Sequence, residues 1–313
     1  LINDGKGNYK DGTMSAAPAI KNIGMVTDAV WIDLNKDNLQ DLIVVGEWMP
    51  VKVFLNQKGK LTDASSTYIK FASKGWWNRI YADDMDGDGD KDLVIGNLGL
   101  NAQFHATEKQ PMSMYYKDFD KNGSIDPVFC YYIDGVSYPA ASRDDLMDQL
   151  PGLKKKFLEY HTYSTATIND LFTSDQLKDA DVLHTEILET VYLENSWAGF
   201  NMKKLPVEAQ YAPVYAFTSI DANGDGKKDL VLAGNNSWTR IKFGQFTSSN
   251  GILLEGDGSG KFKYVPQWKS GLNISGNVRS LEMISSGAKA KGQIIFGINN
   301  SQAKTLTLTK LKN

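Results

Sequence analysis

The sequence predicts an all-β fold, a β-propeller of four-stranded antiparallel blades, and three observations lead to it. Four segments repeat one form, in which a short Asp-rich loop joins two strands. Other segments read as hairpins with glycine-rich turns. A composition with 28 Gly and 11% aromatic residues favours short strands and tight turns. Radial repetition of such strand pairs and hairpins builds a propeller.

The four loops are numbered here from their first Asp, at 33, 84, 118 and 221, and an apolar strand follows each one. Their irregular spacing predicts blades that carry insertions. Loop positions 1, 3, 5 and 9 all carry Asp or Asn. These residues are Asp33, Asn35, Asp37 and Asp41 in loop 1, Asp84, Asp86, Asp88 and Asp92 in loop 2, Asp118, Asp120, Asn122 and Asp126 in loop 3, and Asp221, Asn223, Asp225 and Asp229 in loop 4.

Hairpin signatures lie at 1–9 and 253–262, and a weaker copy lies at 54–61. Strands predicted near 276–285, 292–299 and 304–311 form a last, three-stranded unit without an Asp loop. The N-terminal strand would complete that unit and close the ring, and a larger propeller is equally consistent with the sequence. We therefore expect one propeller domain over 1–313.

The apolar spacing becomes helical after Ser142, which is suited to cap a helix. Thr173 and Gln176 resemble a capping box. The sequence therefore predicts a helical insertion over about 140–182, and strands that resume over 186–193.

Oxygen ligands at alternate positions of a tight loop are the ligands that Ca²⁺ requires, and Mg²⁺ fits them less well. Position 7 would add its backbone carbonyl, and the residues there are Leu39, Asp90, Ser124 and Lys227. Position 6 has to turn sharply and is Gly in three loops and Asn38 in loop 1. These features predict up to four calcium sites.

Two other interpretations of the loops fit the residues less well. Polar turns whose Asx side chains cap their own backbone need no metal, but three or four carboxylates in one loop would repel each other without a cation. An EF-hand needs Glu at position 12, where this chain has Val44, Ile95, Phe129 and Leu232. The loops are therefore predicted to join two strands, unlike EF-hands.

The pattern resembles the FG-GAP, or VCBS-type, repeats of integrin α-subunit propellers and of many secreted bacterial proteins, over about 26–63, 76–133 and 211–265. The stretch 117–127, with Tyr138, Pro139 and 142–144, is similar to a subgroup of large bacterial surface proteins. The resemblance implies structural calcium at the loop positions named above and ligand recognition elsewhere on the ring, and it does not imply a reaction.

Several classes of function receive no support from the composition. The net charge of −3 predicts no basic field to hold nucleic acid or an anionic membrane, and no apolar run reaches the roughly 20 residues of a membrane helix. Cys130 lies in a predicted strand, which favours a buried structural thiol. The histidines His105, His161 and His184 lie outside any catalytic or zinc motif. We predict no catalytic residues, although a glycosidase or lyase carboxylate pair leaves no local signature.

Recognition is the function class that remains, with a protein or glycan as the ligand, on the propeller face or the helical insertion. The alternative is a propeller that binds or processes glycans, with exposed Trp side chains as sugar platforms. The resemblance implies an extracellular or cell-surface location, secreted or outer-membrane-associated, and the chain, which begins at Leu1, is expected to be a processed or excised segment. Candidate contact residues are Trp48, Trp76, Trp77, Trp197 and Trp238 with Arg79, Arg143 and Arg240.

Overall fold

The computed structural model describes residues 1–196, 198–284 and 292–308, and the chain divides into two compact units. Unit 1 combines residues 1–102 with 188–313, and unit 2 consists of residues 103–187. Unit 2 is therefore an insertion in the sequence of unit 1. The strands pair in antiparallel fashion in both units, as the sequence predicts for an all-β chain with helical segments. The expectation of one domain over 1–313 stays a prediction.

The first part of unit 1 forms a terminal hairpin, β1–β2, and a sheet in the order β3-β4-β5-β6, in which β7 also pairs with β4. The hairpins predicted at 1–9 and 54–61 are confirmed as β1–β2 and β5–β6. The strands are β1 Ile2–Asn3, β2 Tyr9–Lys10, β3 Met25–Ile32, β4 Asp41–Met49, β5 Lys52–Gln57, β6 Lys60–Asp63, β7 Gly75–Trp76, β8 Arg79–Asp83 and β9 Asp92–Gly96. The helices are α1 Thr13–Ala16 and α2 Ser65–Tyr68, with a 3₁₀ turn at Pro18–Ile20.

Unit 2 consists of one four-stranded sheet in the order β12-β11-β10-β13 and of helices that lie between β12 and β13 in the sequence. The Ser142 cap and the Thr173–Gln176 capping box are both formed. The strands are β10 Met112–Lys117, β11 Asp126–Ile133, β12 Val136–Pro139 and β13 Asp181–Thr185. The helices are α3 Arg143–Gln149, α4 Tyr160–Ser164, α5 Ile168–Leu171 and α6 Ser174–Lys178, with a 3₁₀ turn at Pro151–Lys155.

The remainder of unit 1 completes the sheet β15-β14-β9-β8 and adds the sheets β16-β17-β18-β19 and β20-β21-β22. The predicted hairpin at 253–262 is β18–β19, and the predicted last unit has three strands; residues 309–311 of its last predicted strand lie outside the described residues. The strands are β14 Val191–Glu194, β15 Asn201–Lys204, β16 Val214–Ile220, β17 Asp229–Gly234, β18 Ile252–Gly256, β19 Phe262–Val265, β20 Val278–Ile284, β21 Gln293–Ile298 and β22 Lys304–Thr307. The helix is α7 Gln267–Ser270, and 3₁₀ turns lie at Val207–Gln210 and Ile241–Phe243.

The strand predicted over 186–193 is wrong for residues 186–190, which separate β13 from β14. Here the chain passes from unit 2 to unit 1, and backbone groups of Leu188 and Thr190 form hydrogen bonds outside any strand pair. The Leu188 carbonyl accepts the Gly99 N–H, and the Thr190 N–H donates to the Gln210 side chain. The β1 strand pairs with β2, so the proposed role of the N-terminal strand in the last sheet is not seen among the described residues.

The first strands of the four larger sheets of unit 1 are neighbours in chain order, with β3 beside β8, β8 beside β16 and β16 beside β20. Apolar side chains fill the space between successive sheets. Val94 and Tyr192 pack with Phe217 and Leu232, and Val231 packs with Phe296. Unit 2 has a separate core between its sheet and its helices.

Three of these first strands carry a β-bulge, and in each case a glycine near the end of the second strand pairs with a residue that borders the bulge. The glycines are Gly46, Gly234 and Gly297. A Cβ on Gly234 would lie 1.8 Å from the Pro213 carbonyl oxygen, so this close approach requires glycine. The last sheet therefore shares a bulged first strand with two sheets that carry an Asp loop, although no Asp lies between β20 and β21.

Candidate metal sites

Each Asp-rich loop joins the first and second strands of a sheet, or their counterparts β10 and β11 in unit 2. The strand–loop–strand prediction and the exclusion of an EF-hand are therefore confirmed. Position 6 has a left-handed backbone in all four loops, with φ of 66° at Asn38 and 83–90° at Gly89, Gly123 and Gly226. Position 4 is also left-handed, at Lys36, Gly87, Lys121 and Gly224. The left-handed turn at position 4 was not predicted, although glycine at this position in two loops was a signal.

The side chains at positions 1, 3 and 5 are held by backbone N–H groups of their own loop. In loop 4, Asp221 accepts from Asp225 and Gly226, Asn223 accepts from Asp225, and Asp225 accepts from Lys227. The same bonds from position 6 to 1, from 5 to 3 and from 7 to 5 recur in all four loops, with lengths of 2.8–3.3 Å. The four loops are thus one repeated cradle of side-chain oxygens.

The position-9 carboxylate has a different environment, because it is at most 3% exposed in every loop. Its Oδ2 accepts the position-2 N–H at 2.8–3.0 Å in all four loops. In loops 1, 2 and 4 its Oδ1 accepts an N–H at the third strand of the sheet, from Asn56, Asn195 and Gly256. Position 9 therefore fastens the loop to its sheet, a role that the sequence analysis did not predict.

Loop 2 is the most acidic of the four. One carboxylate oxygen from each of Asp84, Asp86 and Asp88 lies within 4.8 Å of the others. Burial raises the pKa of Asp86, and the negative charges of Asp88 and Glu194 raise it further. Burial also raises the pKa of Asp92 to about 6, although its carboxylate accepts hydrogen bonds that favour ionisation. A bound cation would relieve both effects.

Loop 3, in unit 2, brings together oxygens of Asp118, Asp120 and Asp126 within 4.8 Å of one another. Its remaining member, Asn122, donates through Nδ2 to Asp120 at 3.0 Å. Because this bond fixes the amide, the Asn122 oxygen faces the loop and accepts the Ser124 N–H. Asp126, at position 9, thus contributes an oxygen to the cluster of this loop and also anchors the loop.

Loops 1 and 4 have Asn at position 3, and in each the amide nitrogen is engaged by a carboxylate. Asn35 donates to Asp37 at 3.0 Å, and Asn223 donates to Glu255 at 2.7 Å. The amide oxygens are consequently turned towards the loop backbone. Burial raises the pKa of Asp41 in loop 1 and of the equivalent Asp229 in loop 4.

Position 7 contributes its backbone to each loop, and its side chain points elsewhere in loop 2. The Asp90 carboxylate lies 3.8 Å from the Lys36 ammonium of loop 1. Together with Asn35 and Asn195 these groups line a polar cavity of about 80 Å³ between loops 1 and 2. The Asp90 Oδ1 is buried without a hydrogen bond, so a water or an ion in this cavity would satisfy it.

The donor set fits calcium on chemical grounds. The side chains at positions 1, 3 and 5 supply carboxylate and amide oxygens, and two loops cluster three carboxylates. Backbone N–H groups hold the side chains in place, so the cradle does not need to reorganise to receive a cation. In the described residues, these clusters contain neither His nor Cys ligands, which zinc would favour.

The candidate recognition residues are found in contrasting environments. Trp77 and Trp48 are buried, and Trp48 packs against Trp76 with ring centroids 5.5 Å apart. Trp238 is 72% exposed, whereas Trp197 lies outside the described residues. Trp268, which the sequence analysis did not single out, is 80% exposed.

Two of the three candidate arginines have structural partners. Arg79 pairs with Asp28 at 3.2 Å, and Arg143 donates to the carbonyl oxygens of Phe157 and Leu158. His184 Nδ1 lies 3.1 Å from the Ser113 hydroxyl within the unit 2 sheet. Arg240 is exposed and belongs to the same surface loop as Trp238.

Cys130 is fully buried in the sheet of unit 2, and burial raises the pKa of its thiol to about 12. A thiol with such a pKa is neutral at physiological pH and is a poor nucleophile. Among the described residues, no helix is both long enough and apolar enough to cross a membrane.

Comparison with known proteins supports the repeat interpretation over part of the chain. Residues 33–95 match the FG-GAP-like repeat family, which confirms the resemblance across loops 1 and 2. No curated protein sequence matches the chain. Among solved structures, this chain is similar to a lectin from Agrocybe aegerita that is described as recognising non-reducing terminal N-acetylglucosamine. The two sequences are 14% identical, and the match covers 91% of this chain and 81% of the lectin chain with a TM-score of 0.20. A score at this level supports no conclusion about shared fold or ligand.

Proposed function

We propose, with the FG-GAP-like repeat at residues 33–95 as the premise, that this chain is a calcium-stabilised β-propeller that serves extracellular recognition. The observation that carries the proposal is the cradle shared by the four loops, with the same backbone and the same hydrogen bonds. A cradle repeated four times with oxygen donors at equivalent positions suits a common structural cation. The packing of the first strands in chain order is the arrangement expected of propeller blades.

The residues that would hold calcium are the side chains at positions 1, 3, 5 and 9 and the carbonyl at position 7 of each loop. Loops 2 and 3 are the strongest candidates because each clusters three carboxylates. The cation would cancel the repulsion within each cluster and fix the turn between two strands. Its role would be structural, since the loops lie at one edge of the sheets and hold no catalytic arrangement among the described residues.

Recognition is proposed for the opposite edge of the unit 1 sheets. The second strand of each sheet runs away from its Asp loop, so the connection that follows it leaves at the opposite edge. Two of these connections are long: residues 97–190 include the whole of unit 2, and residues 235–251 join β17 to β18. Long connections on a rigid scaffold frequently carry binding sites.

A glycan-binding module is the second candidate, because Trp238 and Trp268 are strongly exposed at that edge and a tryptophan face suits stacking on sugars. A glycan array separates the two candidates. Binding to a defined polysaccharide that is lost in Trp238→Ser would favour the glycan ligand, and silence across the array would favour another class of partner.

The calcium part of the proposal is tested by melting the protein in calcium and in chelator. Calcium is expected to raise the melting temperature, and the variants Asp88→Ala and Asp225→Ala are each expected to lose part of that increase. An equal melting temperature in calcium and chelator would refute it.

A further inference from the structure

The sheet β16-β17-β18-β19 presents an apolar and cationic surface at the edge opposite loop 4. We define this surface, the Trp rim, as residues 235–251 and 266–277. The first segment joins Gly234 to Ile252, and the second follows Val265, whose partner in the sheet is Leu253. Both segments therefore emerge at the same edge of this sheet.

The Trp rim carries three of the most exposed large apolar side chains in the described residues. Ile241 is 99% exposed, Trp268 is 80% exposed and Trp238 is 72% exposed. Within the described part of the chain, only Leu1 and Leu158 are also more than 70% exposed. Scattered exposed apolar residues are ordinary, but three such side chains on two neighbouring segments make this edge a candidate interaction surface.

Hydrogen bonds make the base of this surface rigid. The buried Asn235 donates to the carbonyl oxygens of Ser249 and Gly276, which joins the two segments. Asn277 accepts the Ser237 N–H and donates to the Ser237 hydroxyl. The exposed side chains are thus held out from an ordered base, so their exposure is a property of the fold.

The charge of the Trp rim differs from that of the whole chain. No Asp or Glu occurs between residues 230 and 254 or between 258 and 281. The cations Arg240, Lys242 and Lys269 are exposed there, next to the apolar side chains. The net charge of −3 conceals this asymmetry, because many of the acidic residues of unit 1 lie in loops 1, 2 and 4 at the opposite edge of its sheets.

Exposed Trp and Ile flanked by cations match the chemistry of an anionic lipid surface. Tryptophan prefers the boundary between head groups and acyl chains, an aliphatic side chain enters the acyl layer, and cations contact lipid phosphates. Sugar recognition would call for carboxylates and amides beside the aromatic rings; the two segments contain amides but no carboxylate. A fully exposed Ile241 also has no role in sugar stacking.

We propose that the Trp rim docks this chain on an anionic lipid bilayer, with Trp238, Ile241 and Trp268 entering the interface. The inference gives the proposed recognition module a partner, but it uses no residue of the Asp loops. A failure of the calcium proposal and a failure of the lipid proposal are consequently distinguishable.

The test is co-sedimentation of the full chain with vesicles of phosphatidylcholine alone or with 30% phosphatidylglycerol, in chelator so that calcium cannot bridge to lipid phosphates. We expect binding to the anionic vesicles that weakens in 0.5 M salt. Lys242→Gln should lower the partition coefficient about fivefold, and Ile241→Ser about tenfold. Matched controls are Lys60→Gln and Met14→Ser, exposed residues elsewhere in unit 1, which should bind like the unaltered protein.

Absence of binding to the anionic vesicles would overturn the proposal, and so would equal binding to neutral vesicles or rim variants that bind like the controls. Circular dichroism confirms that each variant is folded before it is scored. If Trp238→Ser abolishes binding to a soluble polysaccharide while vesicles are not bound at all, the rim is a sugar site and the lipid proposal is wrong.

Discussion

The different roles of positions 5 and 9 can be separated by two substitutions in loop 4, Asp229→Ala and Asp225→Ala. Asp229 is 1% exposed, and its two oxygens accept the N–H groups of Ala222 and Gly256 at 2.8 and 2.9 Å. Asp225 is exposed and accepts the N–H of Lys227. Both residues are candidate calcium ligands, but only Asp229 fastens the loop to the third strand.

In the absence of calcium, Asp229→Ala leaves two N–H groups without their acceptor. Each orphaned group costs about 1–3 kcal/mol when buried, so the expected loss in the free energy of unfolding is about 2–6 kcal/mol. Asp225→Ala exposes its former partner to water, and the expected loss is below about 1 kcal/mol. The two variants should therefore differ strongly in chelator.

The assay is urea or thermal unfolding of the full chain, first in chelator and then in calcium. Asp229→Ala should unfold more easily in both conditions, whereas Asp225→Ala should match the unaltered protein in chelator and lose part of its response to calcium. The reasoning is refuted if the two variants have the same stability in chelator to within about 0.5 kcal/mol, the usual scatter of surface substitutions.

Three further predictions concern the sheets. Gly234→Ala places a Cβ 1.8 Å from the Pro213 carbonyl oxygen, so it should lower the free energy of unfolding by about 1–3 kcal/mol. The control is Gly152→Ala, where the added Cβ meets open space, and equal stability of the two variants would contradict the close-approach argument. Tyr192→Phe removes the hydrogen bond from a buried hydroxyl to Asp92 and should lower the free energy of unfolding by about 1.5–3 kcal/mol. Urea unfolding measures this loss against the exposed control Tyr9→Phe, and an equal loss in the control would show that the bond adds no stability. Burial raises the pKa of the Cys130 thiol to about 12, so the thiol should react slowly with a disulfide reagent from pH 8 to 10 in the folded protein. It should react rapidly in denaturant, because unfolding restores the usual pKa near 8.5, and fast reaction of the folded protein would contradict this.

The Asp loops were predictable because their information is local. The spacing of the oxygen-bearing side chains, the turn at position 6 and the apolar strand residue at position 12 all lie within twelve residues. The structure has the predicted backbone at positions 6 and 12. The insertion of unit 2 between β9 and β14 was not predictable, since the two strands pair across roughly a hundred residues. Periodicity in a single sequence indicates that a segment forms a strand, but it does not indicate which strand that segment pairs with.

The role of position 9 was missed for a related reason. Its pattern resembles that of the other ligand positions, but its burial depends on the third strand, as the bond from Asn195 to Asp92 shows. The tryptophans make the same point. Trp77 and Trp238 both have mostly polar neighbours in the sequence, yet the packing of unit 1 buries the first and leaves the second exposed.

Calcium stabilisation is the central claim, and its most direct test is the melting temperature of the full chain measured against calcium concentration. At a calcium concentration of about one hundred times Kd, one site adds about 2.7 kcal/mol. For a folded unit of this size that free energy raises the melting temperature by roughly 5–11 °C. We expect a rise of at least this size, reversed by chelator and smaller with magnesium. A melting temperature that is the same in saturating calcium and in chelator would contradict the account.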